Sequence, residues 1–133
     1  MEGSGSAELE KLKTLYEEWA GGDYSQAEIF ASDMTMETFG MGDPKRSETY
    51  EGFVNEMRDW LRAWERPIRI EPEEFIQSGD RILVMIRWSG RGKGSGVQIE
   101  AEGAHLWTFR DGLVVDYGVY RDRAEARAAL EPE

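Results

Sequence analysis

The sequence predicts a single α+β domain in which helices cover one face of an antiparallel sheet. Two observations lead to this prediction. Residues 97–120 form two long alternating runs joined by R-D-G, a pattern typical of a β-hairpin. Residues 49–65 place apolar side chains at helical spacing along one broad stripe. Helical patterns dominate the first half of the chain and alternating patterns the second, which is the order expected of an α+β domain.

The helices are bounded by breaker residues. The opening run M-E-G-S-G-S resembles a flexible leader, so residues 1–6 are excluded and the domain is expected to span residues 7–133. Gly21 and Gly22 end the first helix, and Pro67 closes the third. The predicted helices cover residues 7–20, 24–31, 49–65 and 122–130.

The strands follow from alternation between turn residues. They are predicted at residues 34–39, 68–76, 81–89, 97–109 and 113–120. If R-D-G is a three-residue loop, Gly112 takes its left-handed position. The resulting register pairs Phe109 with Leu113, Trp107 with Val115, and His105 with Tyr117.

The strand at residues 81–89 is apolar on both faces. Ile82, Val84 and Ile86 lie on one face, while Leu83 and Met85 lie on the other. Such a strand has to be covered on both sides. Helices supply one cover, and we expect a second subunit to supply the other, giving a homodimer through the convex sheet face.

Composition excludes several classes of protein. The 133 residues carry a net charge of −11, which argues against binding nucleic acid or an anionic membrane. There is no cysteine and a single histidine, so no metal site is expected and no cofactor is required. No apolar run is long enough to span a membrane, and a cytoplasmic protein is expected.

Three segments resemble bacterial SnoaL-like proteins of the nuclear transport factor 2-like superfamily. They are E-E-F-I-Q-S-G-D-R-I-L-V-M-I-R-W-S-G-R-G-K-G-S-G-V, A-H-L-W-T-F-R-D-G and V-Y-R-D-R-A-E-A. The resemblance implies a cone: a curved antiparallel sheet wrapped around a long helix, with two further N-terminal helices. It also implies a pocket between sheet and helices, and often a dimer.

The chain departs from the catalytic residues of that superfamily. Where ketosteroid isomerases have their aspartate base, the resemblance places Thr38, and their protonated aspartate falls on His105. The isomerase tyrosine aligns with Leu15, one residue from Tyr16. The acid of the SnoaL cyclases falls near Val119. At none of these aligned positions does the chain carry the catalytic residue type of those enzymes.

His105 is the main candidate for a catalytic group, with Tyr16 and Tyr117 as hydrogen-bond donors to a ligand oxygen. Its ordinary pKa lies closest to neutrality, which suits a general acid or base. The alternative is a neutral core histidine bonded to Tyr117 or to a backbone carbonyl. No carboxylate on the same predicted sheet face would orient the ring.

The expected pocket is mainly apolar and aromatic, as binding pockets usually are. Small residues at Ala101 and Gly103 are expected to leave space beside His105. The predicted ligand-binding residues are Thr38, Phe53, Met57, Trp60, Trp88, Gly103, Trp107 and Val119.

Two other features have structural interpretations. The acids Glu37, Glu100, Glu102 and Asp116 alternate onto the convex face, although a β-bulge could turn Asp116 into the pocket. The run G-R-G-K-G-S-G precedes a strand and not a helix, so it predicts a flexible hairpin connection and not a phosphate loop.

The predicted function is binding of a small hydrophobic molecule in this pocket. If the protein is an enzyme, cofactor-free isomerase, cyclase or dehydratase chemistry is expected, with His105 moving the proton. Two alternatives stay open: a non-catalytic association or dimerisation module, and a recruited or engineered scaffold that lacks the acids of its family.

Overall fold

The computed structural model describes residues 4–23, 26–40 and 45–130. Three helices are present in these ranges: α1 (Ser4–Ala20), α2 (Tyr50–Arg62) and α3 (Arg123–Leu130). The strands are β1 (Phe30–Phe39), β2 (Lys45–Glu48), β3 (Trp64–Ser78), β4 (Arg81–Gly92), β5 (Gln98–Arg110) and β6 (Leu113–Tyr120). No helix in the described ranges has the length and apolar character needed to cross a bilayer.

All six strands belong to one sheet, in the order β2-β1-β6-β5-β4-β3. Strand β1 runs parallel to β6, and every other neighbouring pair is antiparallel. The sheet is therefore mixed, and the fully antiparallel sheet predicted from the sequence is wrong at this pair. Alternation shows which residues share a face, but it carries no information about strand direction.

Helix α1 lies against the sheet through a narrow apolar stripe. It buries Leu12, Leu15, Tyr16 and Trp19 almost completely. The helix begins at Ser4, three residues before the predicted start, while residues 1–3 of the expected leader lie outside the described residues. It ends as predicted at the glycine pair, where Gly22 takes a φ of 92°.

The predicted second helix at residues 24–31 is wrong. Residues 24–25 lie outside the described residues, and Ala27–Ile29 form a single 3₁₀ turn. The chain is already extended at Phe30, where β1 begins. A segment this short gains too few helical hydrogen bonds to offset the cost of nucleation, so sheet pairing decides its conformation.

Strand β2 was missed because it carries no apolar alternation. Its four residues pair with β1 at the sheet edge, and Arg46 forms a salt bridge of 3.1 Å with Glu37 across that pair. Short, charged edge strands of this kind limit pairing with other chains.

Helix α2 occupies most of the predicted range 49–65. Thr49 caps its first turn, with Oγ1 accepting a hydrogen bond of 3.1 Å from the Gly52 N–H. The helix ends at Arg62 because Trp64 already pairs with Gly92 at the start of β3.

The β5–β6 hairpin has a tighter turn than predicted. Arg110 pairs with Leu113, so the loop contains Asp111 and Gly112 only. Their φ values of 55° and 80° are those of a type I′ turn, which favours Asp-Gly. The three-residue loop was therefore the wrong interpretation.

A bulge follows this turn. Val115 is the extra residue, because Phe109 pairs with Val114 while Thr108 pairs with Asp116. The predicted partners of His105, Trp107 and Phe109 are consequently wrong, since the three residues pair with Val119, Tyr117 and Val114. Beyond the bulge the register has moved by two positions, which leaves Asp116–Tyr120 on their predicted faces. Before the bulge, Val114 lies in the inner core with Phe109, in the place expected for Val115.

The sheet is covered on both sides by the chain itself. The larger core lies on the inner face, beneath α1 and α2. On the outer face, Ala126 and Leu130 of α3 pack over Leu83, Met85 and Leu106, all of which are buried. The apolar residues expected to contact a second subunit are thus covered by the C-terminal helix.

Arg123 fastens α3 to the outer face. Its guanidinium donates to the backbone carbonyl oxygens of Ile86 at 2.7 Å and Gly103 at 3.2 Å. It also forms a salt bridge of 2.6 Å with Glu73. A charged group that satisfies two carbonyls in this way fixes the start of the helix on the sheet.

Candidate functional site

His105 lies in the middle of β5 on the inner face, inside a cluster of aromatic side chains. The side chain is 5 % exposed. The hydroxyl of Tyr16 lies 2.6 Å from its Nδ1 and also accepts a hydrogen bond of 3.0 Å from the indole N–H of Trp107. Tyr117 completes the cluster, with its ring centroid 5.1 Å from that of His105.

The hydrogen bonds favour one arrangement of the protons in this cluster. The indole of Trp107 can only donate, so the Tyr16 oxygen is its acceptor. We assign the hydroxyl proton of Tyr16 to the bond with Nδ1 of His105, because this arrangement gives both the hydroxyl and the indole N–H an acceptor. With this assignment, His105 is the neutral tautomer that carries its proton on Nε2.

Burial keeps every member of the cluster uncharged. It lowers the pKa of His105 to about 3 and raises the pKa values of Tyr16 and Tyr117 above their ordinary range. No carboxylate among the described residues hydrogen-bonds to the imidazole. The arrangement is that of a buried donor and acceptor, without the orienting acid that activates a catalytic histidine.

The space expected next to Gly103 is occupied by backbone. A Cβ atom placed on Gly103 would lie 2.7 Å from the carbonyl oxygen of Tyr120. Glycine is needed here because the strands approach closely, so its missing side chain does not open a cavity beside His105.

A cavity of about 310 Å³ lies elsewhere on the inner face, beneath α2. It is bounded by the end of α1, the 3₁₀ turn, the start of β1, one side of α2 and the turn after β4. Its lining residues are Trp19, Gln26, Phe30, Phe53, Val54, Met57, Arg58, Leu61, Arg62 and Lys93.

The walls of this cavity divide by chemistry. The aromatic rings of Trp19, Phe30 and Phe53 belong to the buried core and form an apolar wall. Val54, Met57 and Leu61 continue that wall along α2, each of them half-buried. The charged groups are Arg58, Arg62 and Lys93, all exposed. The cavity is thus apolar at its base and cationic at its rim.

Gln26 is the buried polar group of the cavity wall, with 6 % of its surface exposed. Its Oε1 accepts a hydrogen bond of 3.1 Å from the indole N–H of Trp19, and its Nε2 donates one of 2.9 Å to the carbonyl oxygen of Asp23. Because an indole can only donate and a carbonyl only accept, the orientation of the amide is fixed. The second amide hydrogen of Gln26 takes part in neither of these two bonds.

The cavity and the His105 cluster are adjacent but separate. The rings of Trp19 and Phe30 each contact Trp107 with centroids 6.2 Å apart, and Phe53 contacts Tyr117 at 5.7 Å. His105, Tyr16 and Tyr117 are absent from the cavity lining. The cluster therefore lies behind the aromatic wall of the cavity.

Two of the predicted ligand-binding residues, Phe53 and Met57, line this cavity. Trp60 and Trp88 instead form a separate group with Trp64, in which the ring centroids are 5.2–6.1 Å apart. The predicted residues that do not line the cavity are Tyr16, Thr38, Trp60, Trp88, Gly103, His105, Trp107, Tyr117 and Val119.

The acidic residues of the sheet lie on the outer face, as predicted. Asp116 accepts a hydrogen bond of 2.5 Å from the hydroxyl of Thr35, and Glu102 forms a salt bridge of 2.6 Å with Arg87. The bulge precedes Asp116 and leaves it on this face. In the part of the chain that the structure describes, no three acidic or histidine side chains are grouped as a metal ion would require.

Sequence reasoning missed the polar residues of the cavity. Arg58 and Arg62 are four residues apart on α2, beside the apolar positions Val54 and Leu61, and this spacing was available in the sequence. Lys93 belongs to the run G-R-G-K-G-S-G, which was interpreted only as a flexible hairpin connection. Gln26 gave no signal, because it lies within the segment that was wrongly predicted to be a helix.

Solved structures resemble this fold closely. One is a protein assigned as a SnoaL-like polyketide cyclase from Jannaschia sp. CCS1, with a TM-score of 0.77, 18 % identity and coverage of 96 % of this chain and 94 % of that one. Another is an NTF2-like protein of unknown function from Burkholderia pseudomallei K96243, with a TM-score of 0.76, 21 % identity and coverage of 95 % and 98 %. A third is TerC, co-crystallised with polyporic acid, with a TM-score of 0.72, 19 % identity and coverage of 95 % and 99 %.

These similarities define an α+β cone of the NTF2-like class, as the family resemblance implied. The sequence profile of the SnoaL-like domain matches residues 12–117, so the chain belongs to the SnoaL-like family. A search among curated proteins finds none that matches this chain.

Proposed function

We propose that this protein binds a small apolar or aromatic molecule in the cavity beneath α2. The observation that carries the proposal is the cavity itself: about 310 Å³, with Trp19, Phe30 and Phe53 in its wall. This volume lies at the lower end of the range of small-molecule sites, and apolar walls with a few polar groups are typical of them.

A relative supports the same use of the fold. TerC was crystallised with polyporic acid, a small organic molecule, and shares the cone with this chain at a TM-score of 0.72. Within the family the fold hosts several activities, so the residues of the cavity and not the fold define the ligand.

The proposal does not depend on proton transfer by His105. Its imidazole is neutral, is bonded to Tyr16 and lies behind the cavity wall. Acid/base chemistry of the isomerase, cyclase or dehydratase type would require the ligand to pass this wall and contact Nε2. The homodimer stays a prediction, and because α3 covers Leu83, Met85 and Leu106, it would need another surface.

Binding of the neutral fluorophore N-phenyl-1-naphthylamine tests the proposal. Its emission rises on transfer from water to an apolar site, so a titration reports occupancy. Val54 lies on α2 in the cavity wall, and the variant Val54→Trp fills part of the cavity. We expect this variant to weaken binding at least about tenfold, since a bulky ring then occupies the ligand volume.

The matched control is Ala128→Trp, which adds the same ring at an exposed position of α3 on the other side of the sheet. It should bind the fluorophore like the unmodified chain. Equal binding by both variants, or no binding by the unmodified chain, would contradict the proposed site.

A further inference from the structure

The rim of the cavity has a charge opposite to that of the protein. The chain contains 27 acidic and 16 basic residues, with a net charge of −11. The charged residues that line the cavity are nevertheless Arg58, Arg62 and Lys93, and no acidic residue is among them. A local excess of cations on an acidic protein attracts anions to that place.

These cations are poorly neutralised by their neighbours. Arg62 forms one salt bridge of 3.7 Å with Asp59, and both side chains are about 70 % exposed, so the pair is weak. Arg58 contacts the neutral Asn55 at 3.5 Å. The ammonium of Lys93 forms no salt bridge within residues 4–23, 26–40 and 45–130.

The backbone holds the three cations at one edge of the cavity. Arg58 and Arg62 lie one turn apart on the same side of α2. The backbone N–H of Lys93 donates a hydrogen bond of 3.0 Å to the carbonyl oxygen of Ala63, which follows the end of α2. This bond joins the turn after β4 to the C-terminal end of α2, so the backbone of Lys93 is held close to that of Arg62.

We propose that the ligand is an apolar or aromatic acid, with its ring system in the cavity and its anionic group between Arg58, Arg62 and Lys93. This inference rests on the proposed function and adds the chemical class of the ligand. Gln26, on the buried wall, supplies a neutral donor through its remaining amide hydrogen, which can meet a carbonyl or hydroxyl oxygen of the ring system.

Two fluorophores with the same aromatic skeleton separate the charge from the apolar contact. The anionic probe is 1-anilinonaphthalene-8-sulfonate, and its neutral counterpart is N-phenyl-1-naphthylamine. Both are titrated against the intact protein and against charge variants that keep the side chains polar. The variants are Lys93→Gln and the triple variant Arg58→Gln/Arg62→Gln/Lys93→Gln.

We expect Lys93→Gln to weaken binding of the sulfonate about threefold, the effect of losing one partly exposed ionic contact. The triple variant should weaken it about tenfold or more, and added salt should weaken it in the intact protein. In every charge variant the neutral probe should lose much less affinity than the sulfonate does.

Arg110→Gln is the matched control, because it removes one exposed positive charge from the far end of β5. It should leave binding of the sulfonate unchanged. If Arg110→Gln weakens that binding as much as Lys93→Gln does, the effect belongs to the net charge and the inference is wrong.

The possible outcomes distinguish this inference from the proposed function. If the neutral probe binds and the triple variant does not change binding of the sulfonate, the cavity is a binding site but the inference of an acidic ligand is wrong. If neither probe binds the intact protein, the proposed function itself fails. A selective loss of sulfonate binding in the triple variant supports both.

Discussion

The cavity beneath α2 and the His105 cluster lie on the same sheet face, yet they are built in opposite ways. In the cluster, Tyr16 joins His105 and Trp107 through two hydrogen bonds, and all three side chains are at most 5 % exposed. The cavity has aromatic groups in its wall too, but it retains about 310 Å³ of space and has cations at its rim.

This comparison shows that an unusual residue is a weaker sign of a site than unfilled volume. A lone histidine among aromatic residues attracts attention in the sequence, but here its hydrogen bonds are made within the core. The cavity is lined by ordinary residues whose grouping appears only after folding. If the comparison is right, substitutions in the cluster should reduce stability, and those around the cavity should mainly change binding.

Replacement of Trp107 should have the largest effect on stability. Trp107 is fully buried and bonded to Tyr16. We expect Trp107→Ala to lower the free energy of unfolding by about 3–5 kcal/mol, measured by urea denaturation. Trp60→Ala is the control, and because Trp60 is half-buried it should cost less. A smaller loss for Trp107 than for Trp60 would contradict the account of the cluster.

The pH dependence of stability should show that His105 is buried in its neutral form. Its pKa is about 3 in the folded protein and 6.5 ordinarily, so the unfolded chain binds more protons between these values. The contribution of His105 to the free energy of unfolding is therefore largest above pH 6.5 and decreases as the pH falls, by about 2 kcal/mol between pH 7 and pH 5.

His105→Gln serves as the reference for that measurement, because it removes the titrating group. Urea denaturation of both proteins at each pH gives the contribution of His105 by difference. Parallel curves for the two proteins would mean that the imidazole titrates normally, and the buried cluster would then be wrong.

Tyr16→Phe should have an intermediate effect. Loss of the hydroxyl leaves Nδ1 of His105 and the indole N–H of Trp107 without partners. A buried polar group without a partner costs about 1–3 kcal/mol, so we expect a loss of about 2 kcal/mol in urea denaturation.

Tyr117→Phe provides the matched comparison for that loss. The structure gives the Tyr117 hydroxyl no hydrogen bond to any described residue, so its removal should cost less than about 0.5 kcal/mol. If the two variants lose the same stability, the hydroxyl of Tyr16 does not have the role assigned to it.

Replacement of Met57, at the cavity, should have the smallest effect on stability. Met57 is half-buried and borders open space, so Met57→Ala should cost about 1 kcal/mol. Met34 is fully buried in the same core, and Met34→Ala should cost about 2–5 kcal/mol. Calorimetry of both variants compares them directly, and a larger loss at Met57 would mean that the cavity is filled.

Much of the fold could be predicted from the sequence, because the spacing of apolar residues shows which segments are helices or strands and which faces they bury. The apolar run of β4 predicts a strand covered on both faces, the alternation of β5 predicts a strand, and the apolar stripe of α2 predicts a helix. The resemblance to SnoaL-like proteins identified the cone. The parallel pairing of β1 with β6 and the edge strand β2 could not be predicted, because strand direction and polar edge strands leave no periodic signal.

The site was less predictable for a physical reason. Whether Gly103 opens a cavity depends on how closely Tyr120 approaches it, and that distance follows from sheet twist and pairing. Likewise, Lys93 reaches the rim only because its N–H bonds to the carbonyl oxygen of Ala63, thirty residues earlier. Long-range contacts of this kind are not encoded in local sequence patterns.

Nuclear magnetic resonance of the methionine methyl groups, with N-phenyl-1-naphthylamine added, tests the central claim most directly. Met57 lines the cavity, whereas Met85 lies on the outer face under α3. We predict that the Met57 methyl resonance shifts on binding, while those of Met85 and the imidazole of His105 do not. A shift at His105 with none at Met57 would place the ligand in the aromatic cluster and contradict the account.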